Sequence, residues 1–321
     1  MGAVPELLER RLLFFTGKGG VGKSTVTAAT ALLAAQHGKQ VLVVEVDAKG
    51  NLATLFEHSA VGFKPVEVQP GVHVMTMHTE ESLQEYLRLN LKVPVLGRIG
   101  PLARMLDFVA SAAPGVKEIL TVGKICWEVK ESMEGRAPWD LVVVDAAATG
   151  HVLAQLDAPA AIQELVSVGP VRAQTEWMAR ILADPTLTAL NVVATPEEMP
   201  VSETIELVEH ARAEVDVPLG AVIVNRVLPE LFTRADEVAF ERLREPEVSD
   251  ELVRHAGPGA TAVLDAARLA VSLRRTRATH LERLRAEVDL PMLYLPYLFV
   301  RSHGLRVTRM VAEALRQELA L

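Results

Sequence analysis

The feature that most restricts this chain is a set of short apolar runs in which polar and apolar residues do not alternate. They are Leu12–Phe15, Val41–Val46, Val72–Met77, Leu141–Val144, Asn191–Ala194, Ala221–Val224 and Met292–Leu295. A strand with one wet face alternates, whereas a strand buried on both faces of a parallel sheet reads as a continuous apolar run. Between the runs lie longer stretches with helical patterning, long enough for crossover helices. The expectation is an α/β architecture: a mostly parallel twisted sheet of about seven or eight strands, with helices on both faces.

Composition bounds the rest. A chain of 321 residues, half of them apolar and only 4% aromatic, can bury a large Ala/Val/Leu core without disulfides or metal. The single cysteine, Cys126, cannot form an internal disulfide, so nothing points to an oxidising compartment. A net charge of −8 argues against a nucleic-acid partner, because phosphate neutralisation needs clustered Lys and Arg. Glu6, Glu9, Arg10 and Arg11 interrupt any apolar leader, and no apolar run is long enough to span a bilayer. A cytoplasmic protein with no integral membrane segment is expected.

Two stretches depart from simple strand–helix alternation. Residues 80–136 carry only helical signals, broken at Pro94, Pro101 and Pro114, and read as a helical insertion. Pro229–Leu290 is the second, and its Ala260–Val288 portion, after the Pro258-Gly259 break, reads as one long helix. No repeat or linker divides the chain, so residues 1–321 read as a single domain containing the 80–136 insertion. The final stretch, Leu305–Leu321, reads as a helix covering the sheet.

Chemistry enters at the first strand end. Thr16-Gly17-Lys18-Gly19-Gly20-Val21-Gly22-Lys23-Ser24-Thr25 follows an apolar run and opens an Ala-rich helical stretch that closes near Gly38. Glycines at these spacings let successive backbone N–H groups turn inward around phosphate oxygens, and the helix N-terminus adds partial positive charge. Gly17, Gly19, Gly20, Val21, Gly22, Lys23, Ser24 and Thr25 are therefore expected to hold a nucleotide. Lys23 would reach the β- and γ-phosphates, and the Ser24 hydroxyl would ligate Mg²⁺. The fold expected is the three-layer P-loop NTPase. Asp47 and Asp145 each follow an apolar run, at the strand edge where open α/β sheets bind ligands. Asp145 reads as a carboxylate holding Mg²⁺ directly or through water, and Asp47 as one that orients the attacking water or accepts its proton.

Lys18 is a second lysine within the loop. With it the sequence resembles the deviant Walker A family of ATPases, in which this lysine reaches across a dimer interface to the partner's nucleotide. Asp145-Ala146-Ala147-Ala148-Thr149-Gly150-His151 narrows the resemblance to the arsenite-pump ATPase family, which also contains the eukaryotic targeting factor for tail-anchored membrane proteins. That family reads Asp-Thr-Ala-Pro-Thr-Gly-His there, so Ala146 and Ala148 replace Thr and Pro. Its first switch, Asp-Pro-Ala-His-Asn, appears here as Asp47-Ala48-Lys49-Gly50-Asn51. Thr195–Thr204 resembles the family's segment after the next strand, with Ser202 read as an N-cap for a helix beginning at Glu203. The resemblance assigns the adenine to Asn225, in Ile223-Val224-Asn225-Arg226, and to the backbone at Pro296, in Leu295-Pro296-Tyr297. The Asn-Lys-x-Asp signature of guanine-specific proteins is absent, so ATP is the expected nucleotide, with Mg²⁺.

The resemblance implies an Mg²⁺-dependent ATPase that dimerises with an identical or a paralogous chain and acts as a switch for a protein client. One cysteine cannot supply a metalloid site or paired zinc motifs. The altered first switch keeps open an ATP-binding interaction protein with little turnover. A small-molecule kinase or ligase on the same fold is a third reading. Ile119, Leu120, Ile125 and Trp127, with Met105, Leu106, Phe108 and Val109, are read either as lining a small groove or as packing the insertion onto the core. Gly169–Leu190 has room for one short helix, carrying Trp177 and Met178.

Overall fold

The computed structural model describes residues 7–47, 50–91, 115–301 and 303–321. The elements run β1 (Leu12–Thr16), α1 (Lys23–Gln36), β2 (Val41–Glu45), α2 (Asn51–Leu55), β3 (Val66–Gln69), β4 (Val72–Thr76), α3 (Thr79–Leu91) and α4 (Val116–Met133). They continue β5 (Leu141–Asp145), α5 (Thr149–Leu165), α6 (Pro170–Ala183), β6 (Thr188–Ala194), α7 (Glu198–Glu214) and β7 (Leu219–Val227). The last are α8 (Arg234–Leu243), α9 (Pro246–Ala256), α10 (Gly259–Glu287), β8 (Met292–Pro296) and α11 (Leu305–Glu318).

The strands form one eight-stranded sheet in the order β3-β4-β2-β5-β1-β6-β7-β8. Every pairing is parallel except the antiparallel β3–β4 edge. The continuous apolar runs have a direct cause. Leu12 and Phe14 enter one core and Leu13 and Phe15 the other, and β2 and β5 divide their residues the same way. The first core lies under α4–α7 and the C-terminal part of α10; the second lies under α1, α2 and α11. The result is three layers, as the runs led us to expect. Each expected strand is present, and β3 is additional. Its Val-Glu-Val-Gln sequence is half exposed at the sheet edge, so it never forms an apolar run.

Of the stretch read as an insertion, α3 and α4 are helices, while residues 92–114, including Pro94, Pro101, Met105, Leu106, Phe108, Val109 and Pro114, lie outside the described residues. Cys126 is fully buried and its thiol is pushed up by desolvation, so it packs as a small hydrophobe. α10 is a single 29-residue helix. One local expectation needs correcting: α7 begins at Glu198, not at Glu203, and Ser202 is inside the helix rather than at its cap. Pro200 does not prevent this, because it occupies the first turn, where a proline has no intrahelical N–H bond to lose. Among the described residues no helix is long and apolar enough to cross a membrane.

Candidate nucleotide-binding site

β1 occupies the interior of the sheet, with β5 on one side and β6 on the other. The chain leaves β1 through the loop 17–22 and enters α1, so the loop stands at the C-terminal edge, where the strand order reverses. Two glycines are dictated by contact as well as by backbone. Gly17 has φ 144°, and a Cβ there would stand 2.1 Å from the Val193 carbonyl oxygen on β6. Gly22 has φ 96°, and a Cβ there would stand 2.4 Å from Nδ2 of Asn225. α1 starts with no side-chain cap and no acidic residue of its own in the first turn, so the positive end of its dipole is not offset from within the helix.

Lys23 arches back over the loop, its Nζ donating to the carbonyl oxygens of Gly17 at 2.9 Å and Lys18 at 3.2 Å. The Ser24 hydroxyl donates to Oδ2 of Asp145 at 2.6 Å. Asp145, the last residue of β5, is 7% exposed, and its Oδ1 is buried without a hydrogen-bond partner. Burial raises its carboxyl to about 6; the Ser24 hydrogen bond and the Lys23 charge oppose that rise, while Glu45 and Asp47 reinforce it. Glu45 and Asp47, at and just beyond the end of β2, are near enough for their charge to act on Asp145, while among the described residues no three acids gather closely enough to hold a metal ion by themselves. The orphaned carboxylate oxygen and the serine hydroxyl beside it are two oxygen ligands of the kind a hard divalent cation prefers, the remaining ligands being left to phosphate and water.

The segment after Asp145 is tied to β1. The Thr16 hydroxyl donates to the Ala147 carbonyl at 2.9 Å, and the Ala146 N–H donates to the Phe15 carbonyl at 3.0 Å. Asp47 lies two residues beyond the end of β2, and Ala48 and Lys49 lie outside the described residues. Asn225 stands at the loop itself: its Nδ2 donates to the Val21 carbonyl at 2.8 Å, and its Oδ1 accepts from the Arg226 N–H at 2.9 Å. Pro296 ends β8 in register with Val227, next to the strand carrying Asn225. Lys18 forms an ion pair with Glu203 of α7.

Sequence reasoning missed two residues here. Glu45 is 2% exposed; its Oε1 accepts from the Asn51 N–H at 2.8 Å and its Oε2 from the Thr76 hydroxyl at 3.3 Å. It therefore ties the start of α2, where the segment carrying Asp47 ends, and the end of β4 to the end of β2. The signal was a charge inside the Val41–Val46 run, where an acid in a buried strand requires partners. Glu203 had no such signal, because its partner Lys18 lies 185 positions away.

Away from the loop, α3, α4, α5 and α6 enclose a largely apolar groove of about 340 Å³. Trp127 and Trp177 meet edge-on in it at 6.5 Å, and Lys130 lies 4.9 Å over the Trp177 ring. Ile119 and Leu120 line the same groove, whereas Ile125 is buried in the core.

A glycine loop between strand and helix, a lysine curled over it, and a Ser–Asp pair at the edge of a parallel sheet define a P-loop nucleotide-binding protein. Comparison with known proteins then narrows the class. A family model described as anion-transporting ATPase matches residues 10–173 and 163–247. The ATPase BagA of Mycobacterium tuberculosis is 34% identical over 250 residues, which cover 76% of this chain and 72% of that protein. A putative arsenical pump-driving ATPase of Halobacterium salinarum is 29% identical over 76% of this chain, but the match covers only 40% of that longer protein. The ATPase GET3 of Komagataella phaffii is 23% identical over 67% of this chain and 72% of its own length. The chain belongs to the anion-transporting ATPase family of P-loop ATPases.

Proposed function

We propose that the chain binds ATP with Mg²⁺, hydrolyses the terminal phosphoanhydride, and uses the cycle to close and reopen a dimer that serves a protein client. The observation that carries this reading is the Ser24–Asp145 pair, with its orphaned carboxylate oxygen, set against the Lys23-covered loop. Ser24 and Asp145 hold the divalent ion, which neutralises developing phosphate charge when bound. Loop N–H groups and the α1 N-terminus hold the phosphate oxygens, and Lys23 moves from the loop carbonyls onto the β- and γ-phosphates. Asp47 orients the attacking water. Lys18 supplies a cation to the γ-phosphate of the neighbouring subunit, an electrostatic role whose strength depends on the site being closed to water. Asn225 and the backbone at Pro296 border the adenine; in Asn225 one amide N–H and one carbonyl lone pair remain beyond the two bonds above. The tryptophan groove between α4 and α6 suits an apolar segment of the client.

Alanine variants test the division of labour between the lysines. Lys23→Ala is expected to lose nucleotide binding and turnover together, whereas Lys18→Ala keeps binding, read by calorimetry, and loses turnover by at least about a hundredfold. Normal hydrolysis by Lys18→Ala would remove the cross-subunit role. A second reading, an ATP-binding interaction protein with little turnover, draws on the first switch, which lacks the family's Pro and His. Single-turnover measurement of phosphate release separates the two: release that disappears in Asp47→Asn supports the ATPase.

A further inference from the structure

Lys18 is committed to a partner inside its own subunit. Its ammonium donates to Oε1 of Glu203, and both side chains are only part-exposed, at 26% and 31%. Glu203 is on the face of α7 that lines an open cleft against α5, shared with Thr149, Gly150, Asp157, Glu206 and Glu214. Burial raises the Asp157 carboxyl there, and the charges of Glu164, Glu214 and Asp216 add to the rise. Lys18 meets that acidic cleft through Glu203, its ion-pair partner.

An ammonium on one tether cannot serve two acceptors at separate places. While it is bound to Glu203, Lys18 is withheld from any second subunit. The first turns of α7 are in turn held by α10: Arg277 pairs with Glu197 at 3.0 Å, and Arg283 donates to the Ser202 hydroxyl at 3.0 Å. Arg277 also donates to the Arg226 carbonyl, beside Asn225, at 3.3 Å. Glu203 is thus carried on an element clamped between the loop and α10.

We infer that Glu203 is the positioning residue for Lys18: it holds the ammonium within its own subunit at rest and sets the cost of delivering it to a second subunit's nucleotide. The inference rests on the cross-subunit reading of Lys18. It concerns the release step and leaves the phosphate loop's affinity unchanged. Once the dimer has formed, the negative charge of the neighbour's triphosphate outcompetes one carboxylate, so Glu203 has no further effect on the reaction.

The test is hydrolysis of Mg·ATP by the full chain as a function of protein concentration. It compares wild type with Glu203→Gln, Glu203→Ser, Glu203→Asp and Lys18→Ala, with sedimentation in ATP reporting dimerisation. In Glu203→Gln and Glu203→Ser the midpoint for turnover is expected at a protein concentration about two- to fivefold lower for each bridge released, the range for part-exposed ion pairs. The plateau turnover stays at the wild-type level. Glu203→Asp, which keeps the charge, returns the midpoint toward wild type. In a Lys18→Ala background, Glu203→Gln leaves the dimerisation midpoint unmoved. An unshifted midpoint, a lowered plateau, the same shift without Lys18, or misfolding of both neutral variants would each make Glu203 merely structural and overturn the inference. The two readings fail distinguishably. Normal turnover by Lys18→Ala removes the cross-subunit role and this inference with it. An inactive Lys18→Ala beside an unshifted Glu203→Gln removes this inference alone.

Discussion

At the scale of single residues, Asp145 shows a site opposing its own fold. Its carboxyl is raised from 3.8 to about 6, with burial as the leading cause. A raised acid pKa means that the folded chain holds the proton more tightly than the unfolded chain. The stability cost is therefore absent below about pH 4, grows as pH rises through the interval, and is complete above about pH 6. Asp145→Asn removes the buried charge and is expected to stabilise the ligand-free protein at pH 7.5 by on the order of 2–3 kcal/mol, an advantage that vanishes near pH 4. Denaturant unfolding across that pH range checks it. Under the role proposed for Asp145 at the ion, the same variant should also lose Mg²⁺-dependent turnover. Gly17 is constrained differently: a methyl group 2.1 Å from a β6 carbonyl leaves no room for any other residue unless the loop moves.

Among elements, α1 and α11 illustrate how the second core is closed. α1 is Ala-rich, with Ala28, Ala29, Ala31 and Ala34 fully buried, so it approaches the sheet and α11 closely. α11 presents Val311, Ala312 and Leu315 to the same core, with Leu319 just past its end, beside Leu293 and Leu295 of β8. Leu315 is fully buried, and Leu315→Ala is expected to cost about 2–5 kcal/mol through lost transfer energy and the cavity left behind. Equilibrium denaturation provides the measurement, with a lowered midpoint and an unchanged m-value as the expected result. α7 shows a tertiary decision at a helix end. A proline in its first turn is compatible with an early start, and contacts from α10 then hold Glu197 and Ser202 in place.

For the whole molecule, the proposed switch requires an assembly that exists only with nucleotide. Lys18 stands on the loop side and is retained by its own α7, while the tryptophan groove lies among α3–α6. Turnover per chain is therefore expected to rise with protein concentration, and the sedimentation coefficient to increase in Mg·ATP but not in Mg·ADP. A rate per chain independent of concentration down to the nanomolar range would exclude a dimer as the active species.

Much of this protein was legible in its sequence because the deciding interactions are local. The expected strands appear because residues buried on both faces must be apolar at every position, a constraint that each short run carries by itself. The Gly17–Ser24 turn is equally local, since glycines at fixed spacing and the adjoining helix start supply the required conformation. α10 shows the same legibility, with its start marked by Pro258-Gly259. What only the tertiary structure decided involves partners brought together by strand order and helix packing: Lys18 with Glu203, Asn225 with Val21, and Glu45 with Thr76 and Asn51. β3 belongs with them, because a half-exposed edge strand takes its pairing from β4 and leaves no apolar run to read. Local preference acts over a few residues, whereas a buried charge or amide finds its partner only after the sheet has set the neighbours, and no rule of spacing reaches across 185 positions.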